Sequence, residues 1–424
     1  MNRTSHRCRR AHPIPSAARC WLAPCAAAAL ISLCTRTVGA QPVLLLDRTE
    51  VIRRAATQSP TIGPALEHID VARAQRIGAS VFVRDNPALS VSGGPRLLAN
   101  GVWVPDFIVG IAWPFDLGGQ GSARSLVADA SVRVARARAD EVRANAVADA
   151  LDVWLRAIAA RARVDLAAAQ LALDATALRI ATTRRTAGAG ADDDVALARL
   201  AHAAARARLA VAAGDAAALE QELLGMLRLV GTTPHALPAR LPLDSPASLD
   251  LLIANLGRRP VLRRLGAEIE WATRDLRLQE RLGLPVPRVT LAVGRENEWW
   301  GRAGVELPLP VFQRNQTAVA VGHAQIGFGR AQRDAAWAIA ETELRTAYAR
   351  YVGARASLAP LDEGVEAAVD AEHLVLRAYE LGQRDLAATL VAFREAAAVR
   401  LARLEAQLAV ARALVAIERA AGVL

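Results

Sequence analysis

Between Ser122 and Arg185 the chain runs for 64 residues without a proline or a glycine, the two residues that most disfavour a helix interior. Apolar residues return there at spacings of three and four: Val147, Leu151, Trp154 and Ile158, then Val164, Ala168, Leu171, Ala175 and Leu178. That is the period of a helix with an apolar stripe, alternating as in a coiled coil. At about 1.5 Å per residue, an unbroken helix of this length reaches on the order of 95 Å. No compact domain needs such an element, so the chain is expected to be organised along a rod.

The residues on either side of the run occur twice. Gly110-Ile111-Ala112-Trp113-Pro114-Phe115-Asp116-Leu117-Gly118-Gly119-Gln120 leads into it, and 194 residues later Gly304-Val305-Glu306-Leu307-Pro308-Leu309-Pro310-Val311-Phe312-Gln313-Arg314-Asn315-Gln316 leads into a second long Ala/Arg-rich run. In both copies an alternating strand meets proline and hands over to a helix. Gly188-Ala189-Gly190 ends the first long helix, and Asp192, Asp193 and Asp194 start its return at the end where acids are favoured. Gly382-Gln383-Arg384-Asp385 is the equivalent turn, again 194 residues on.

The predicted organisation is mainly α with a small β part, in two repeats of helix, β-hairpin and long helical hairpin. Residues 1–40 form a leader segment and 41–85 the N-terminal helices, one from Val43 to Thr57 and one from Ser59-Pro60 to about Val83. Residues 86–114 hold the first hairpin, with Gly93-Gly94-Pro95 as a turn. Trp103, Phe107, Val109, Ile111 and Trp113 share one face of its second strand, while Asp106, Gly110 and Ala112 share the other. Residues 115–230 make the first helical hairpin. A linker at 231–248 carries Pro234, Pro238, Pro242 and Pro246. The opening helix of the second repeat covers 249–287, broken at Gly257-Arg258-Arg259-Pro260, and the second hairpin covers 288–310, with Trp299 and Trp300 at its loop. In its last strand Val305, Leu307 and Leu309 face one way, and Arg302, Gly304 and Glu306 the other. Residues 311–424 form the second helical hairpin, interrupted at Pro360.

Charge and composition exclude several functions. All 52 basic residues are arginine, so neither a P-loop lysine nor a Schiff-base lysine is present. The formal charge is +10, but six arginines lie in the first forty residues, which hold no acid, leaving +4 for the remainder. Those other arginines are interleaved with acids and not with aromatics, the pattern of solvated helix faces rather than of a nucleic-acid surface. An arginine-rich start, the apolar run Cys20 to Leu33 and the small-residue ending at Ala40 read as a secretory signal cut after Ala40. All four cysteines (Cys8, Cys20, Cys25, Cys34) fall inside it, so the processed chain is expected to use no disulfide. Pro24 precedes Cys25 and Leu33 precedes Cys34, neither being the small residue that lipid attachment requires.

No catalytic or cofactor site is expected. His68, His202, His235, His323 and His373 have no partner at a zinc-motif spacing. Gly118-Gly119-Gln120-Gly121-Ser122 resembles a phosphate loop only superficially and reads as a hinge. Arg302 and Glu306 read as a polar channel wall. Asp192, Asp193 and Asp194 serve the dipole of their helix, and three copies of the chain would also set nine carboxylates in a ring that attracts cations.

Four strands with open edges and an uncovered apolar, aromatic face are unstable in water, and open edges are worse in lipid, where only closed barrels satisfy every strand N–H and C=O. Closure therefore requires several copies. With these features the chain resembles the TolC-type outer-membrane efflux proteins over nearly all of residues 43–424. The likeness is carried by the two repeats, by Asn86-Pro87-Ala88-Leu89-Ser90-Val91 and by Tyr379-Glu380-Leu381-Gly382-Gln383-Arg384-Asp385-Leu386. Leu307-Pro308-Leu309-Pro310-Val311-Phe312-Gln313-Arg314-Asn315-Gln316 is similar to the heavy-metal (cobalt–zinc–cadmium) branch. The resemblance implies a homotrimer with a 12-stranded outer-membrane barrel and a periplasmic helical barrel. It implies an adaptor docked at the tips, Gly188, Gly190, Asp192, Asp193, Asp194, Gly382, Gln383, Arg384 and Asp385, an inner-membrane pump as further partner, and no catalysis. It also implies strand-to-helix joints at Pro114, Gly118, Gly119, Pro308, Pro310, Phe312, Arg314 and Asn315, and lipid-facing residues Trp103, Phe107, Val109, Ile111, Trp113, Trp299, Trp300, Val305 and Leu307. The competing reading is a soluble periplasmic coiled-coil scaffold or the adaptor itself.

Overall fold

A computed structural model describes residues 43–81, 86–229, 234–295 and 298–424. The leader segment at 1–40, the helix end near Val83, the end of the return helix at Val230 and the first residues of the proline linker lie outside the described residues. The first repeat consists of β1 (Leu44–Leu45), α1 (Arg48–Gln58), α2 (Ile62–Ala79), the hairpin β2 (Ala88–Leu97) and β3 (Trp103–Pro114), then α3 (Gln120–Thr186) and α4 (Asp192–Met226). The second begins with β4 (His235–Ala236), α5 (Leu249–Ala254), a 3-10 turn at Leu256–Arg258 and α6 (Pro260–Leu282). Its hairpin is β5 (Arg288–Arg295) and β6 (Trp299–Glu306), followed by α7 (Gln316–Ala356), α8 (Leu358–Glu380) and α9 (Leu386–Ala421).

The two hairpins join into one sheet of order β2-β3-β5-β6, antiparallel throughout. β2 and β6 are its edges, with no further strand beside either among the described residues. α3 is a single helix of 67 residues, about 100 Å long. Against it lie α2 and α6 on the sheet side, α4 on the far side, and α9.

The three largest cores among the described residues are rich in alanine and hold the rods together. Leu151, Trp154 and Leu155 of α3 pack with Leu46, Val51, Leu223 and Leu227. Leu344 and Tyr351 of α7 pack with Leu256, Leu262, Val410 and Ile417. At the helical turns Ile180, Val195, Tyr379, Leu386 and Phe393 close a third cluster. Small residues let the helix axes approach, and Leu, Tyr and Phe fill the remaining space.

Helix ends differ from the sequence expectation where long-range pairing or proline chemistry intervenes. Leu44 and Leu45 are strand and not helix: the Leu44 N–H donates to Pro234 O and the Leu46 N–H to Ala236 O, both at 2.9 Å, which makes the parallel pair β1–β4. α1 therefore starts at Arg48, where the carboxylate of Asp47 accepts from the Glu50 N–H at 2.7 Å. The second long helix breaks at Ser357 instead of at Pro360. Proline has no N–H for the carbonyl four residues earlier and its ring clashes with it, so the break falls upstream and Pro360 sits in the first turn of α8.

Candidate functional site

Opposed residues of an antiparallel ladder lie on the same face, so the register assigns both faces of the sheet. Leu89 and Val91 pair with Ile111 and Val109. Phe107, Val109, Ile111 and Trp113 pair with Arg295, Val293, Leu291 and Val289. These in turn oppose Trp299, Gly301, Ala303 and Val305. This face is apolar and open to its surroundings, with Trp103 63% and Trp299 64% exposed. Phe107 meets Trp299 edge-on at 5.5 Å, and Trp113 stacks on Phe115 at 5.7 Å.

Trp300 does not share this face, although the sequence reading grouped it with Trp299. Neighbouring residues of a strand point to opposite sides, so Trp300 shares the polar face with Ser90, Ser92, Asp106, Thr290, Arg302 and Glu306. There its ring lies over Gly294, where any Cβ would collide with it, and beneath the Arg302 guanidinium at 4.9 Å. Leu307 lies one residue beyond the end of β6 and is half exposed.

Both joints use a left-handed residue just ahead of the helix. Gly119 has φ 74° before α3 and Asn315 has φ 61° before α7, a conformation that only glycine and asparagine adopt readily. In the first joint, Asp116 pairs with Arg124 across the first turn of α3. A Cβ on Gly118 would fall 2.7 Å from the Gln120 amide. In the second, the Asn315 amide donates to Gln279 O at 2.8 Å and to its side-chain oxygen at 3.0 Å, while the Arg314 Nε donates to Pro310 O at 3.0 Å. Gly283 allows this contact, since a Cβ there would lie 2.6 Å from Arg314 O. The joints meet around a cavity of about 480 Å³ lined by residues including Pro114, Gln120, Pro308, Pro310 and Gln313. Leu309, Val311 and Phe312 remain exposed, Phe312 by 88%.

Sequence reasoning missed Gln120, which is fully buried with neither amide atom hydrogen-bonded among the described residues. Gln316, the first residue of α7 as Gln120 is of α3, accepts from the Arg314 N–H at 2.8 Å and donates to Phe312 O at 3.2 Å. Comparing the two copies is the one sequence signal that marks the position.

At the far end the two helical turns come together. Gly188 and Gly382 have φ 75° and 74°, and in each turn the next residue closes the helix: the Ala189 N–H donates to Arg184 O and the Gln383 N–H to Ala378 O, both at 2.9 Å. Gly190 folds back onto the helix so tightly that a Cβ would lie 2.9 Å from Arg185 N. Asp385 caps α9, accepting from the Ala388 N–H at 2.6 Å, whereas Ala191 at the equivalent position cannot cap α4. Arg184 ties the turns, donating to Tyr379 O at 3.0 Å with its guanidinium 5.1 Å above the Tyr379 ring. Burial, with the Asp194 charge nearby, pushes the Tyr379 phenol up from its ordinary pKa. Asp192 pairs with Arg185, and Asp193 accepts from the Asp194 N–H at 3.0 Å. Gln383 and Arg384 stand exposed on the turn. No group of three or more metal-ligating side chains occurs among the described residues, and no described helix is long and apolar enough to cross a membrane.

An open apolar sheet carried on paired long helices through two proline joints is the fold of outer-membrane channel proteins. The chain matches VceC from Vibrio cholerae with a TM-score of 0.73 at 16% identity, over 88% of this chain and 96% of that one. It matches the outer-membrane channel OprN with a TM-score of 0.72 at 19% identity, over 88% and 89%. It matches CusC, a protein described as forming a transmembrane channel, with a TM-score of 0.72 at 16% identity, over 90% and 93%. No protein-family model and no curated protein sequence matches the chain.

Proposed function

We propose that the chain is the outer-membrane channel of a tripartite efflux system: a passive duct that takes substrate from an inner-membrane pump through a periplasmic adaptor, with no catalytic step of its own. The observation that carries this reading is the sheet. Its two open edges and one uncovered apolar face are satisfied together when copies close edge to edge inside a bilayer, and three copies give twelve strands, a size at which a barrel keeps a lumen. The polar face, with Arg288, Arg302, Asp106 and Glu306, then lines the duct. The tips at Gly188–Asp194 and Gly382–Asp385 are the adaptor-docking ends. The Leu307–Gln316 turn, similar to the heavy-metal branch, supports divalent cations as cargo.

Membrane fractionation and cross-linking test the reading. The processed chain is expected in the outer-membrane fraction, extracted only by detergent, with a cross-linking ladder that stops at trimer. Recovery from the soluble periplasm would favour the scaffold or adaptor reading, and a ladder ending at dimer would overturn the closure argument.

A further inference from the structure

Arg295 is the one charged side chain that the register places on the apolar face of the sheet among the described residues. It stands in the last pair before the β5–β6 loop, in one cross-strand row with Phe107 and Trp299. Its guanidinium lies 5.9 Å from the Trp299 ring centre, and no carboxylate among the described residues pairs with it. The Trp299 ring, itself packed edge-on against Phe107, holds the cation in place but does not neutralise it.

Given the proposed function, on which this inference rests, the helices leave the sheet at its other end, so the row lies in the leaflet remote from the helical tube. A charge on a lipid-facing strand is costly at the bilayer midplane and nearly free at the interface, and aromatic side chains favour that same level. A planar guanidinium whose donors have no acceptor among the described residues matches a phosphate group better than any other lipid component. We infer that Arg295, flanked by Phe107 and Trp299, is a binding site for the phosphate of an anionic lipid in the leaflet at the hairpin end. Three such sites would ring the barrel in a trimer and fix its height in the membrane.

The test uses the full-length processed protein as the detergent-solubilised trimer, stripped of lipid, then titrated with phosphatidylglycerol or phosphatidylcholine and read by native mass spectrometry. Wild type is expected to retain phosphatidylglycerol about fivefold better than Arg295→Gln, the weight of one interfacial arginine. Arg295→Lys is expected to fall between them, and excess inorganic phosphate to leave retention unchanged. Arg288→Gln removes a charge from the opposite face of the same strand and is expected to behave as wild type. Equal loss in both glutamine variants would show general charge attraction, and displacement by inorganic phosphate would show a free-anion site. Unchanged retention in Arg295→Gln, or a larger assembly formed through this face, would leave the row without a lipid. Each of these results overturns the inference. Should Arg295→Gln fail to assemble, equal retention by Arg295→Lys and wild type together with loss in Arg288→Gln would overturn it as well. Absence of any membrane-inserted trimer would instead refute the channel reading itself.

Discussion

Gly188 and Gly382 show how much a single residue type decides at the helical tips. Both hold φ near 75° and both close a helix. A Cβ on Gly188 would meet nothing within 4 Å, so Gly188→Ala isolates the backbone penalty, expected at about 1–2 kcal/mol. Gly382→Ala adds only a 3.4 Å approach to Arg184 and is expected to cost about the same. Thermal unfolding in detergent measures both, and Asn in place of Ala recovers part of the loss. These glycines were legible because a glycine between two periodic segments has few other uses. Trp300 was not: adjacency to Trp299 suggested a shared role, and only strand parity separates them. Asp174 was equally hidden. It is 3% exposed and accepts from the Gln170 amide at 3.1 Å. Burial raises its pKa, against that hydrogen bond and the charges of Arg208, His202 and Arg394. A carboxyl raised in the folded state contributes its full stability below the unfolded pKa and loses it as pH rises through the folded one. Asp174→Asn is therefore expected to raise the melting temperature near neutral pH, with the advantage gone below about pH 4.

At the level of elements, the sequence is most informative where order is local. The long helices, the turns at 188 and 382, and the alternation of β3 and β5 follow from period and punctuation within a few residues. The β1–β4 pair does not, because its two strands stand about 190 positions apart with two residues each. Its location depends on Trp154, whose indole N–H donates to Leu46 O at 2.8 Å inside the core around Leu151 and Leu223. That one bond ties the middle of α3 to the clasp between the start of the chain and the linker. Trp154→Phe fills much of the same space but leaves the buried Leu46 carbonyl without its donor, a loss expected at about 1–3 kcal/mol. Hydrogen exchange of the Leu44 and Leu46 amides checks the local part. They should lose protection more than the amides of β2 and β3, and uniform loss would mean that the bond only adds to global stability.

Across the whole molecule the two ends of the rods carry opposite demands. Among the described residues the sheet leaves an apolar face uncovered and two edge strands open, while the tips present charge to water. Three aspartates per chain would place nine carboxylates at the tip of a trimer, yet Asp192 is already paired with Arg185, and Asp193 and Asp194 have no cationic partner among the described residues. Two effects compete for these residues. Acids in the first turn of α4 stabilise its dipole by about 0.3–1 kcal/mol each, and carboxylates around a pore raise the local concentration of cations. The effects separate by measurement. If the ring acts on permeation, Asp193→Asn with Asp194→Asn lowers the cation-over-anion permeability ratio, read from reversal potentials across planar bilayers under a salt gradient. Asp192→Asn alone then changes it less, because it removes one negative charge per chain where the double variant removes two. The shift should shrink as ionic strength shortens the screening length from about 10 Å at 0.1 M to about 3 Å at 1 M. An unchanged ratio with a slightly lowered melting temperature would assign the aspartates to the helix alone.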